Sequence, residues 1–261
     1  MARLIKLYFF YFRLNLKRLT EFRADFLISL FAMIMWALGG LIEIYILLLN
    51  ITEINGWDYG EMTLLYGMWS LTFAIYQAFG HGITEIEADI INGKLDIILC
   101  KPIQPLFQIM TSRISTMGIG MFLLGLFTVA ISMSMVSISW TLGRVLYLMF
   151  SALTGGIMIF SMYLILMCVA FWSGKSRMLV RLGYDVHMFA RYPVTIYGLG
   201  IKIVLMSIFP YAFTNYYPVA VILGKEPPIY AWISPIISLL IMGIALTVWK
   251  RGLRRYEGSG S

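Results

Sequence analysis

The chain has 261 residues, of which 60% are hydrophobic and only 13% charged, and its mean hydropathy is +0.83. A soluble domain has an apolar share of roughly 45–50%, so this composition excludes an ordinary water-soluble enzyme or binding module and predicts an all-α polytopic membrane protein. The net charge of +7 would suit a nucleic-acid partner only if it were gathered on one soluble surface, and it is not.

Residues 2–23 place Arg3, Lys6, Arg13, Lys17 and Glu21 on one arc of a helix, with Leu4, Tyr8, Phe12, Leu16 and Leu19 opposite. This pattern predicts an amphipathic interfacial helix whose basic side chains Lys6, Arg13 and Lys17 face anionic headgroups at the membrane surface. A helix packed on a soluble partner would share the pattern. The first 25 residues carry charge throughout and lack the short apolar run of a cleavable signal peptide.

Six apolar stretches follow, near residues 26–49, 62–83, 114–137, 144–172, 197–223 and 229–249. Each is compared with the ~20 residues that a helix needs to cross the hydrocarbon core. The fifth is interrupted by Pro210, Asn215 and Pro218. It reads either as a kinked span or as a helix ending near Phe209 followed by a re-entrant piece over 211–223.

Eighteen of the twenty Lys and Arg fall before the first span, after the second, after the fourth or after the last; only Arg144 and Lys225 fall on the other side. That bias predicts both termini in the cytoplasm. The outer loops are short, and Trp57, Tyr59, Trp140, Tyr230 and Trp232 suit an aromatic belt. Asn50-Ile51-Thr52 matches a glycosylation sequon too close to the membrane to carry weight.

Little in the chain resembles catalytic equipment. Gly174-Lys175-Ser176 lacks the glycine five residues upstream that a phosphate-binding loop requires, because Val169 stands there. His81 with Glu85, and His187 with Asp185, make neither a metal set nor a triad. Cys100 and Cys168 lie far apart with no His at ligand spacing, so no disulfide framework or zinc site is expected. Glu43 is the one acid deep in a span, near its outer end, where a water-facing or Tyr-paired carboxylate is the simpler expectation than a transport site.

The longest polar stretch between spans is Thr84–Arg113. Drawn as a helix, Ile83, Ile86, Ile90 and Ile91 share one arc, and Glu85, Asp89 and Asn92 the other, with Asn92-Gly93 as a stop signal. Glu87 falls inside the apolar arc, where an unpaired carboxylate is costly, so it should meet a basic group on this chain or a partner. Pro102 and Pro105 then give a stiff return to the third span.

The order of parts resembles the permease subunits of type-2 ABC exporters, and especially the smaller, unfused bacterial permeases. The basic amphipathic helix, FRADF before the first span, GWDYGE opening the second, INGKLDIILCKPIQPLFQ, and the late FPYAFTNYYPVAVILGK carry the likeness. It covers almost the whole chain. Its most specific pieces are Gly93-Lys94-Leu95-Asp96 with Lys101-Pro102, and the segment from Pro210 to Pro218.

The six apolar stretches are expected as six transmembrane helices, and Gly258-Ser259-Gly260-Ser261 as an appended linker. The resemblance implies one permease domain over 1–257 in the bacterial cytoplasmic membrane. It implies a cytoplasmic coupling loop at 84–113 that docks on a separate ABC ATPase dimer through Glu85, Glu87, Asp89, Ile90, Gly93, Leu95, Asp96, Lys101 and Pro102. It further implies a re-entrant outer segment at 210–223 around Pro210, Asn215 and Pro218, and a second permease copy or a paralogous permease. No cofactor is expected on this chain, since ATP and Mg belong to the ATPase; nor is nucleic acid. A partner-independent secondary transporter or channel is the alternative, and would call for a polar stripe along several spans, which Asn215, Glu43 and Gln77 do not form by spacing.

Overall fold

The computed structural model describes residues 23–112, 115–256 and 258. The surface helix expected over residues 2–23, with Lys6, Arg13 and Lys17, lies outside the described residues except for Arg23. Helix α1 spans Arg23–Leu47 and α2 spans Tyr59–Gly80. A 3-10 turn at His81–Glu85 leads into α3 (Ile86–Ile91), α4 (Lys94–Leu99) and α5 (Pro105–Ser112). Then come α6 (Thr116–Met135), α7 (Leu142–Cys168), the short α8 (Ala170–Ser173) and α9 (Arg177–Phe189). The last elements are α10 (Leu199–Ile203) with a π turn at Val204–Ile208, a 3-10 turn at Tyr211–Phe213, α11 (Tyr216–Ile222) and α12 (Tyr230–Arg255). No strand occurs among the described residues.

By length and apolar composition, α1, α6, α7 and α12 are able to cross a bilayer. Helix α2 is long enough but more polar, and the reason is its position. It packs between α6 and α7, so nearly all its residues are buried in protein instead of facing lipid. Its hydroxyls are satisfied locally: Thr63 donates to the Tyr59 carbonyl at 2.6 Å, and Ser70 to the Met121 carbonyl at 2.8 Å. The helix starts three residues before the expected boundary because Asp58 and Glu61 form a reciprocal capping box, with bonds of 2.8 and 3.0 Å.

The bundle has two ends, marked by Asn55 before α2 and by Glu87 after it. Helices α1, α2, α6 and α7 alternate in direction between them, as Gly60 beside Met135 and Gly118 beside Gln77 show, and α12 runs parallel to α7, with Gly252 beside Phe171. The fifth passage differs from the expected one over 197–223. Its N-terminus, Ser176 and Arg177, lies at Glu87. From there α9 climbs past Tyr163 and Trp69 until Arg191 meets Glu43 and the Thr195 carbonyl accepts from Asn55 Nδ2 at 3.0 Å. The stretch at 177–196, expected as a surface loop, is therefore the passage itself. Helix α9 thus carries the chain from the Glu87 end back to the Asn55 end.

Residues 199–223 then form a hairpin that starts and finishes at the Asn55 end. After Thr195 is fixed at Asn55, the chain dips until the Thr214 carbonyl lies against Gly155 in the middle of α7, and returns so that Lys225 Nζ pairs with Glu61 at 2.9 Å and also bonds the Gly56 carbonyl. Pro210 follows the π turn, where the Phe209 amide donates to the Val204 carbonyl at 2.8 Å. Pro218 sits in the first turn of α11, where its missing N–H leaves no bond unmade. Asn215 is fully buried and holds the tip: its amide donates to the Ala190 carbonyl at 2.7 Å while its carbonyl accepts from Thr214 Oγ1 at 2.8 Å. Two of the eighteen basic residues move with this correction. Arg191 is at the Asn55 end, and Lys202 follows Thr195, so the bias toward the Glu87 end persists but is smaller.

Candidate functional site

The residues from His81 to Ser112 form a folded layer over the Glu87 end. Ile83, Ile86, Leu95 and Ile109 are buried beneath it, tying the 3-10 turn, α3, α4 and α5 to the bundle. Between α3 and α4, Gly93 adopts a φ of 66° in the left-handed region, which glycine reaches without a steric penalty. A side chain there costs roughly 1–2 kcal/mol, so Gly93→Val is expected to lower the melting temperature modestly in a thermal scan of the purified protein. On the return, Gln108 Nε2 donates to the Ile98 and Ile103 carbonyls at 3.1 and 2.7 Å, closing the loop over Lys101-Pro102.

This layer sorts the sequence candidates. Lys101 and Pro102 are exposed; Glu85, Asp89, Ile90, Gly93 and Asp96 are half-buried; Leu95 and Glu87 are buried. Sequence reasoning missed three apolar side chains on the outer surface: Ile91 is 61% exposed, Ile97 62% and Leu99 40%. Ile91 had been grouped with Ile83 and Ile86 on one arc. The structure divides that arc, because α3 is only six residues long and Gly93 turns the chain before a single face is established.

Glu87 has a different setting from the one expected. Its carboxylate Oε2 accepts from the Ser176 amide at 2.5 Å, the Arg177 amide at 2.6 Å and the Ser176 hydroxyl at 3.2 Å. Instead of a basic side chain alone, it meets the open N–H groups and positive dipole end of α9. The hydrogen bonds from the Ser176 backbone, with the Arg177 amide and charge, hold its carboxyl below the ordinary carboxylate range, against the opposing effect of burial. Glu87 thus fastens the layer to α9.

Helix α9 carries charge across the bundle. Arg177, Arg181 and Asp185 recur every four residues on one arc. They line a cavity of about 720 Å³ between α2, α7 and α9 at the Glu87 end. Asp185 also lines a second cavity, of about 500 Å³, which contains the Glu43–Arg191 ion pair at 3.2 Å. Glu43 therefore answers a basic residue that the sequence placed at the opposite end. His81 Nδ1 lies 3.0 Å from Gln77 Oε1 at the mouth of the larger cavity. His187 is fully buried and packs against the rings of Trp69 and Phe73, at 5.5 and 5.3 Å, and edge-on to Tyr211. Among the described residues no group of three His, Cys, Asp or Glu is arranged to hold a metal.

An all-helical bundle of apolar spans, capped at one end by a folded loop and threaded by a charged helix, defines a polytopic membrane protein. A family model described as ABC-2 family transporter protein matches residues 34–260, and the chain belongs to that family. It is an ABC-2 type permease, a membrane component of a transporter that is not itself catalytic and works with a separate ABC ATPase subunit. No curated protein and no solved structure matches the chain significantly.

Proposed function

We propose that this chain is the membrane-spanning permease of an ATP-driven exporter in the bacterial cytoplasmic membrane, with the Glu87 end and both termini in the cytoplasm. The observation that carries the reading is the exposed patch of Ile91, Ile97 and Leu99 beside Lys101 and Pro102, on a layer fastened to the cavity-lining helix through Glu87. An exposed apolar patch in a folded loop at the end of a bundle is suited to a protein partner. Asp89, Asp96 and Glu85 at its edges add charge for orientation. ATP and Mg bind to the ATPase dimer, and a second copy or a paralogous permease completes the membrane part.

In this mechanism, closure of the ATPase dimer shifts the α3–α4 layer, Glu87 carries the shift to the start of α9, and α9 moves against α2 and α7. The work is transmitted only if the ATPase binds the two arrangements of the layer with different affinity. The basic bias toward the Glu87 end supports the orientation.

The test is co-purification with the ATPase encoded alongside, followed by ATP hydrolysis measured in lipid. Association and lipid-dependent hydrolysis are expected; failure to associate with any ATPase overturns the reading. Ile97→Asp is expected to weaken association by about tenfold or more, since interface anchors cost 1–2 kcal/mol or more when removed. The same substitution leaves the melting temperature of the isolated permease unchanged, because the side chain is exposed.

A further inference from the structure

The larger cavity is lined by both aromatic rings and charged side chains. Two turns into α9, Asp185 stands beside a wall of hydroxylated rings, Tyr76, Tyr163 and Tyr184, with the Tyr76 and Tyr163 centroids 4.7 Å apart. One turn nearer the start of α9, Arg181 lines the same cavity, together with Gln77 of α2. Neither Arg181 nor Asp185 makes a side-chain hydrogen bond or ion pair with another described residue. The Tyr163 hydroxyl is buried and also lacks a partner. Both charged side chains are exposed along the cavity wall instead of being answered by protein, and so are open to a ligand that carries both signs.

We propose that this cavity binds the head group of a zwitterionic amphiphile, one carrying an ammonium and a phosphate or carboxylate a few bonds apart. The inference rests on the transport reading above and names its substrate class. Four residues of helix separate Arg181 from Asp185 by about 6 Å along the axis, a spacing within reach of the two charges of one small head group. The ammonium lies against Asp185 and the faces of the aromatic wall, where carboxylate attraction and cation–π contact add. The anionic group takes the forked donors of the Arg181 guanidinium. Arg177 and Glu85, one base and one acid, also line the cavity and leave its balance of charge unchanged. A simple cation would leave Arg181 unanswered, an anion would leave Asp185, and an uncharged amphiphile would leave both.

The test titrates the purified permease in dodecyl maltoside, read by native mass spectrometry, with three single-chain probes: lysophosphatidylethanolamine, lysophosphatidylglycerol and dodecyltrimethylammonium. The zwitterion is expected to bind about tenfold more tightly than either singly charged probe, the increment of one charge-assisted hydrogen bond. Asp185→Asn should bring the zwitterion down to the level of the anion and leave the anion unchanged. Arg181→Gln should bring it down to the level of the cation and leave the cation unchanged. Both replacements are near-isosteric, and a melting curve verifies that each variant folds.

Equal binding of all three probes, or an order that neither variant alters, overturns the proposal. Glycerophosphoethanolamine, the same head group without a tail, separates the two sources. Binding with the same dependence on Asp185 and Arg181 assigns a water-soluble ligand, whereas a requirement for the tail assigns one drawn from the leaflet; either supports the site. No ATPase is present in this measurement. A permease that selects the zwitterion but recruits no ATPase would overturn only the exporter reading, and one that recruits an ATPase without selecting the zwitterion would overturn only the site.

Discussion

Glu87→Lys is expected to cripple the permease, both in stability and in its response to an ATPase. The substitution removes an acceptor from two backbone amides and a hydroxyl, and presents a cation to the positive end of α9. Hydrogen bonds to a charged group contribute about 1.5–3 kcal/mol, and loss of a helix cap costs up to about 2 kcal/mol. A loss of about 3 kcal/mol or more is therefore expected on thermal or denaturant unfolding in detergent. This outcome is harsher than the sequence alone suggests, since an exposed docking acid could be reversed without harm to the fold.

Glu87→Gln keeps the shape and one acceptor oxygen, so it should lose less stability while still loosening the layer from α9. Coupling is then the informative readout: ATP hydrolysis by the assembled transporter continues, but transport per ATP falls. Normal coupling in Glu87→Gln would remove Glu87 from the transmission path. The native carboxyl also makes a pH prediction. Its pKa is lowered in the folded state, so its contribution to stability is complete above the ordinary Glu value of about 4.3 and is lost as pH falls through the lower folded value. The wild type should therefore lose stability more steeply than Glu87→Gln as the pH is taken below about 5.

The second large effect is expected at Gly82. A Cβ on this residue would overlap the carbonyl oxygen of Ile109, a backbone atom that no rotamer change removes. The 3-10 turn at His81–Glu85 and helix α5 must separate to admit even a methyl group. Overpacking of this kind typically costs 1–3 kcal/mol, occasionally more, and Gly82→Val should exceed the alanine variant. The expected result is a lower melting temperature together with accelerated proteolysis between residues 84 and 112, as the layer lifts. Unchanged cleavage kinetics in Gly82→Val would show that α5 does not clamp the loop.

The helical class and most of the passages were legible because lipid-facing helices must be apolar around most of their circumference. Helices α1, α6, α7 and α12 meet that requirement outright. The signal that α9 is a passage was obscured by its own chemistry: Arg177, Arg181, Asp185 and Arg191 read as surface charge, and positive residues are counted as markers of one side. Arg177, Arg181 and Asp185 are exposed along one cavity and Arg191 pairs with Glu43, settings in which charge inside a membrane protein is tolerated. The segment at 199–223 is the converse case. Its hydropathy suggests a span, yet Pro210 and the buried Asn215 turn it back, and only contacts distant in sequence reveal where its two feet stand.

The folded loop was legible as an element but not in its inner and outer faces. An amphipathic arc drawn over Ile83–Asn92 assumes one continuous helix; the 3-10 turn before Ile86 and the left-handed Gly93 break the register. Hence Ile91 and Ile97 point outward while Leu95 and Glu87 point inward. Glu87 was recognisable as an anomaly within the apolar arc. Its partners, 89 and 90 residues further on, were not, because backbone amides at a helix start leave no mark in side-chain pattern.

The loop between α1 and α2 touches both ends of the 199–223 hairpin, through Asn55 to Thr195 and through Gly56 and Glu61 to Lys225. A flap hinged at one edge opens by swinging, but a flap with both edges stapled to the same loop cannot. If a ligand leaves at this end, the hairpin either rises as a unit with the α1–α2 loop or stays in place while the exit opens sideways between helices. The staple makes the choice of exit a property of one short segment far from the folded layer at the Glu87 end.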